Sequence, residues 1–183
     1  MSARQTPATD RDLQILTAQL GRPVRDVVGV PARCACGAPT VVSTKPRLAD
    51  GTPFPTFYYL THPAATAAVS RLEAVGRMAE LQAELAIDAE LADAYTRAHE
   101  AFLADRAEHG SPDEIASVSA GGMPTRVKCL HALVGHALAA GPGVNPIGDL
   151  ALHESRWSPE VCACAPADRG DGGAPAASPG SAS

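Results

Sequence analysis

The residues of this 183-residue chain that could do chemistry are five cysteines and six histidines, and their spacing is uneven. Cys34-Ala35-Cys36 and Cys162-Ala163-Cys164 form two C-x-C pairs, with Cys129 alone between them. The first residues lead straight into the charged Asp10-Arg11-Asp12 with no apolar stretch for a signal peptide, so a cytoplasmic setting with reduced thiols is expected. Metal binding, redox chemistry or packing then outrank a disulfide framework. Cys34, Cys36 and His62 form the first candidate set. Two thiolates and an imidazole at one end of a small sheet are soft or borderline donors of the kind that suits Zn²⁺. C-x-C is a weaker metal signature than C-x-x-C, and a buried cysteine packing as a small hydrophobe is the competing reading. Cys162 and Cys164 could complete a four-thiolate site with Cys34 and Cys36. They sit where the chain is running out of apolar residues, which argues that they are incidental.

A second set, Cys129, His131 and His136, falls in an apolar run. If a helix runs from Pro124 to Ala140, Val127, Leu130, His131, Val134 and Leu138 share one face, and Cys129 and His136 lie near the opposite one. Those two are then two turns apart, about 10 Å along the axis, so only one of them could join the sheet ligands. His131 on the apolar face reads as a core histidine. Cys129 and His131, two apart on a continuous helix, face different ways and lack the geometry of a nucleophile pair. Gly121-Gly122-Met123-Pro124 with Arg126 and Lys128 would set free backbone N–H groups and two cations at that helix start, an arrangement that can hold an anion. It matches no phosphate-loop pattern.

The elements that must position these residues are legible from punctuation and period. Thr9 or Asp10 can cap a helix carrying Leu13, Leu16 and Leu20, and Gly21 followed by Arg22-Pro23 ends it. Between Val24 and Thr61, three short runs rich in valine and aromatics, around Val27, Val41 and Tyr58, alternate with glycine- and proline-rich turns. Loops this short predict an antiparallel meander, which returns His62 to the end of the sheet that carries Cys34 and Cys36. Val69, Leu72, Val75, Ala79 and Leu85 then recur at helical spacing, and Asp88 can cap a further helix carrying Leu91, Tyr95, Ala98 and Phe102. The expected fold class is α+β and mostly helical: a small three-stranded antiparallel sheet packed against a helical hairpin and a further long helix. Residues 10–157 make one globular domain, 1–9 a flexible N-terminus, and 158–183 a disordered tail of small, polar and proline- or glycine-rich residues.

A formal charge of −5, with Lys45 and Lys128 the only lysines, gives no electrostatic reason to bind nucleic acid or an anionic membrane surface. The apolar run from Cys129 to Ala140 is too short to span a bilayer, so membrane insertion is not expected. A protein is the partner class left open.

Several segments occur together and in order: Asp50-Gly51-Thr52-Pro53-Phe54-Pro55-Thr56, Tyr59-Leu60-Thr61-His62-Pro63, Arg126-Val127-Lys128-Cys129-Leu130-His131 with His136, and Asn145-Pro146-Ile147-Gly148. Over roughly 10–152 the chain resembles the bacterial family called domain of unknown function five-hundred-one, in which actinobacteria are rich. The resemblance implies no established activity, cofactor or catalytic residue. Family genes often stand near those for a septum-formation initiator and an exopolyphosphatase-like enzyme. Many members have cysteine in place of His62, a swap of one zinc ligand for another, and some lack a ligand at Cys36. The resemblance therefore favours Cys34, His62 and Cys129 as ligands, with His131 or His136 as the fourth. The expected function is a small zinc-binding structural or interaction module. The alternatives are an enzyme using a cysteine thiolate or an anion held at Gly121-Gly122, with a cleft between that helix, Arg47 and the Asn145 loop, and a metal-free scaffold linked to cell division or the envelope.

Overall fold

A computed structural model describes residues 5–170. The order of elements is α1 (Asp10–Leu20), β1 (Val27–Arg33), β2 (Pro39–Thr44), β3 (Tyr58–Leu60), α2 (Pro63–Ala74), α3 (Arg77–Ile87), α4 (Ala89–Ala107), α5 (Leu130–Ala140) and α6 (Pro146–Ser155). The fold is α+β, as the pattern of runs and turns predicts.

The three strands form one antiparallel sheet in the order β1-β2-β3, with Val27 opposite Thr44, Arg33 opposite Pro39, and Val41 opposite Leu60. Every residue of β2 is buried, as the central strand of a sheet covered on both sides must be. α5 packs on β3 and α6 packs on α5. The main core joins Val41, Tyr58 and Leu60 of the sheet to Leu81, Tyr95, Phe102, Leu130, Leu133 and Ile147 of the helices. A separate small core holds Ile15, Cys34, Cys36 and Ala38, with Cys164 against it.

α1 begins in a capping box, with Thr9 and Asp12 exchanging side-chain and backbone hydrogen bonds, and ends on Gly21 in the left-handed conformation. Two helices depart from the periodicity. The heptad-like run from Val69 to Leu85 is broken between α2 and α3 at Gly76, whose φ of 88° resets the direction of the chain, so three helices stand where a hairpin of two is expected. The last long helix starts at Leu130, not Pro124. Residues before it are coiled into turns in which Gly121 and Gly122 take φ of 70° and 96°, and the Arg126 and Lys128 N–H groups donate to the carbonyls of Gly122 and Gly121. Cys129 is consequently the residue that enters α5, not one inside it. Of the expected tail, residues 158–170 lie along the molecule beside the β1–β2 turn, and 171–183, like residues 1–4 of the N-terminus, fall outside the described residues. Among the described residues no helix is long and apolar enough to cross a membrane.

Candidate metal centre

The turn between β1 and β2 builds half of the site. Cys34 N–H donates to the Ala38 carbonyl and Gly37 N–H to the Cys34 carbonyl, with Gly37 at φ 85°. This tight reversal folds Cys34 and Cys36 inward, and both are buried. The turn is braced from below: Arg33 clasps Asp12 of α1 through two parallel bonds of 2.6 and 2.9 Å and donates also to the Gly37 carbonyl at 2.9 Å. Burial acts to raise the Asp12 carboxyl, and the Arg33 guanidinium with the Thr9 N–H outweighs it, holding the group below the usual range.

The other half comes from the C-terminal segment. Ala35 N–H donates to the Pro159 carbonyl at 2.7 Å, and Arg11 of α1 donates to the carbonyls of Ala167 and Arg169. Held this way, the segment delivers Cys162 and Cys164 to the turn. The sulfurs of Cys34, Cys36, Cys162 and Cys164 all lie within 4.8 Å of one another. Four thiolates at about 2.3 Å from a central zinc in a tetrahedron stand about 3.8 Å apart, so the spacing suits one ion. None of the four is in a disulfide.

Within the cluster the thiols act on one another's ionisation. Burial pushes the Cys34 and Cys164 thiols up, and for Cys164 the neighbouring Cys36 and Cys34 push it further. Burial also acts to raise Cys36, but the Ala38 N–H and the side chains of Cys162 and Cys164 outweigh it and bring that thiol down to about 7. The Cys36 thiolate thus forms more readily than an ordinary one, while ionisation of Cys34 and Cys164 is opposed. A divalent ion removes that opposition, because a coordinated thiol deprotonates outright.

His62 stands at the entry to α2 without capping it. Its Nε2 is 3.1 Å from Cys164 Sγ, and its ring leans on Trp157 at 5.1 Å between centroids. Burial depresses its basicity, so the ring is neutral, and Nδ1 is buried with no partner. A single proton on Nε2 would therefore donate to the Cys164 sulfur, which makes His62 a neighbour of the four thiols rather than one of them.

The other expected ligands lie elsewhere. Cys129 and His131 form a separate group with Glu73, whose carboxylate is within 4.8 Å of both. His136 is fully buried in the main core, stacked on Tyr58 at 5.7 Å and edge-on to Phe102 at 5.3 Å, with the Asn145 amide donating to its Nδ1 at 3.1 Å. The anion reading of Gly121, Gly122, Arg126 and Lys128 requires a helix start that occurs instead at Leu130. There the Leu130 N–H is taken by the Glu73 carboxylate at 2.7 Å. Arg47 sits at the surface paired with Glu114, while Asn145 is buried as the cap of α6, so the cleft expected between them is not formed by these side chains.

The C-terminal pair, expected to be incidental because its surroundings are poor in apolar residues, is half of the cluster. The sequence signal for it is the C-x-C repeat itself.

No curated protein and no solved structure matches the chain. A family model described as Protein of unknown function (DUF501) matches residues 30–153, which takes in Cys34, Cys36, His62, Glu73, Cys129 and His131 and stops before Cys162 and Cys164. The match covers more than half of the chain, and the protein belongs to the family Protein of unknown function (DUF501).

Proposed function

We propose that the chain is a zinc-binding structural or interaction module in which Cys34, Cys36, Cys162 and Cys164 hold one ion. The observation that carries this reading is the mutual approach of four reduced cysteines, two from a strand turn and two from a segment more than a hundred residues later. A closed set of four thiolates leaves no position for water or substrate, the mark of a structural zinc site rather than a catalytic one. The ion would fasten the C-terminal segment to the sheet and α1, where it has only a small apolar core to rest on. His62 and the Arg33–Asp12 clasp would orient the ligands from behind.

Elemental analysis of protein purified without a histidine tag tests the proposal. About one zinc per chain is expected, lost in Cys34→Ser and in Cys162→Ser and retained in Cys129→Ser. Zinc lost in Cys129→Ser but kept in Cys162→Ser would replace this ligand set with one centred on Cys129.

A further inference from the structure

Cys129 lies outside the four-cysteine cluster, in a setting of its own. It precedes the first residue of α5, so its side chain is free of the helical wheel, and its sulfur approaches the His131 ring although the two are only two positions apart. His131 is fixed by three residues of α2. Its Nε2 faces the Thr66 carbonyl of α2 at 3.2 Å and must donate to it, with the Ser70 hydroxyl at 3.1 Å; its Nδ1 faces the Glu73 carboxylate of α2 at 3.2 Å. A ring with an obligate donor at one nitrogen and a carboxylate and a thiol at the other is set up to be an imidazolium. The Cys129 side chain, followed by the Glu73 charge and the Thr66 carbonyl, raises His131 to about 9 against the opposing effect of burial. His131 in turn lowers Cys129, helped by the Ala132 N–H in the first turn of α5 and opposed by burial and by the Glu73 charge.

This pair opens onto a cavity of about 550 Å³ lined also by Leu20, Tyr59, Leu60 and Thr66. The size is that of a small-molecule site, and the lining is half apolar with hydroxyls. Among the described residues no lysine or arginine lines it, and Glu73 stands behind the pair, so His131 is the cation of the lining and an uncharged ligand suits the cavity.

We infer that Cys129, His131 and Glu73 form a nucleophilic thiol site that accepts the acyl group of an uncharged thioester or activated ester bound in this cavity. The Cys129 thiolate adds to the carbonyl carbon, forming a C–S bond. The bond from that carbon to the leaving sulfur or oxygen breaks, and the leaving group takes the proton of the His131 imidazolium. Neutral His131 then takes a proton from a water molecule as it attacks the acyl-cysteine; the C–S bond breaks, the carboxylic acid departs, and the thiolate–imidazolium pair is restored. Glu73 orients the ring and steadies its charge.

Two measurements on the full-length, metal-loaded chain test this. The charged groups bearing on the thiol are Glu73 of α2 and His131 of α5. In alkylation by iodoacetamide followed by peptide mass mapping, an ordinary thiol slows more than about a hundredfold between about pH 8.5 and about pH 6. Cys129 is expected to slow by clearly less than that, and His131→Gln to return it to the ordinary slope. In native chain mixed with p-nitrophenyl acetate or a neutral acetyl thioester and acid-quenched before the acyl-cysteine hydrolyses, acetyl is expected on Cys129, and release of the leaving group is expected to fall in Cys129→Ser. An ordinary pH slope at Cys129 in the native chain, or no acetyl adduct on it with either donor, would overturn the inference. Both readings come from the native chain, so they hold even where a variant folds poorly.

Discussion

His136 has no solvent exposure, and burial alone pushes its imidazole down to about 4. The Asn145 amide, Tyr58 and Phe102 face it with no carboxylate among them to hold a charge. In the unfolded chain an imidazole takes up its proton near pH 6.5, so the folded state is favoured in full above that pH and loses ground as the pH falls toward 4. The difference is worth about 3 kcal/mol, and His62, depressed by burial in the same way, acts in the same direction. Urea unfolding of zinc-free protein at about pH 7 and about pH 4.5 should show a loss of roughly this size in the native chain and less than half of it in His136→Gln. An equal loss in both would place the acid sensitivity elsewhere. The histidines also show what a wheel diagram misses. His131 and Cys129 are placed apart by a continuous helix and brought together once the helix begins between them, and no periodicity in Arg126-Val127-Lys128-Cys129 marks that boundary.

Among the helices, α5 and α6 pack closely, and Gly148 is what permits it. A Cβ at this position would collide with the Leu133 carbonyl oxygen, a backbone atom that cannot turn aside. Asn145 supports the same contact: its Oδ1 accepts from the Gly148 N–H at 2.9 Å while its Nδ2 reaches His136. Asn145-Pro146-Ile147-Gly148 is thereby a cap and a close-packing site, with Ile147 fully buried. Gly148→Ala should cost about 1–3 kcal/mol in chemical denaturation and leave zinc content unchanged. A neutral effect would mean that α6 can slide on α5. Elements with local punctuation were legible in the sequence: α1 through Thr9 and Gly21, α4 through the Asp88 side chain that caps Leu91, and the meander through its turns. The break at Gly76 was not, because apolar residues keep their spacing across it.

For the whole molecule, the question is how its C-terminal segment relates to the body. Composition assigns residues 158–183 to a tail, since they offer little to bury. Residues 158–170 nevertheless lie against the β1–β2 turn and α1, held by the Ala35 N–H and the Arg11 guanidinium donating to their carbonyls and by the convergence of Cys162 and Cys164 on Cys34 and Cys36. Hydrophobic patterning cannot report a contact made by four sulfurs and a few carbonyls, and His62, expected beside Cys34 and Cys36, makes its hydrogen-bond contact with Cys164 of the C-terminal segment. Without an ion the segment depends on few contacts; with one it becomes part of the fold. Zinc-edge X-ray absorption of the purified chain tests the central claim most directly. The account predicts four sulfur neighbours at about 2.3 Å, in native protein and in Cys129→Ser alike. A shell with nitrogen or oxygen neighbours in place of one or more sulfurs in the native chain would contradict it.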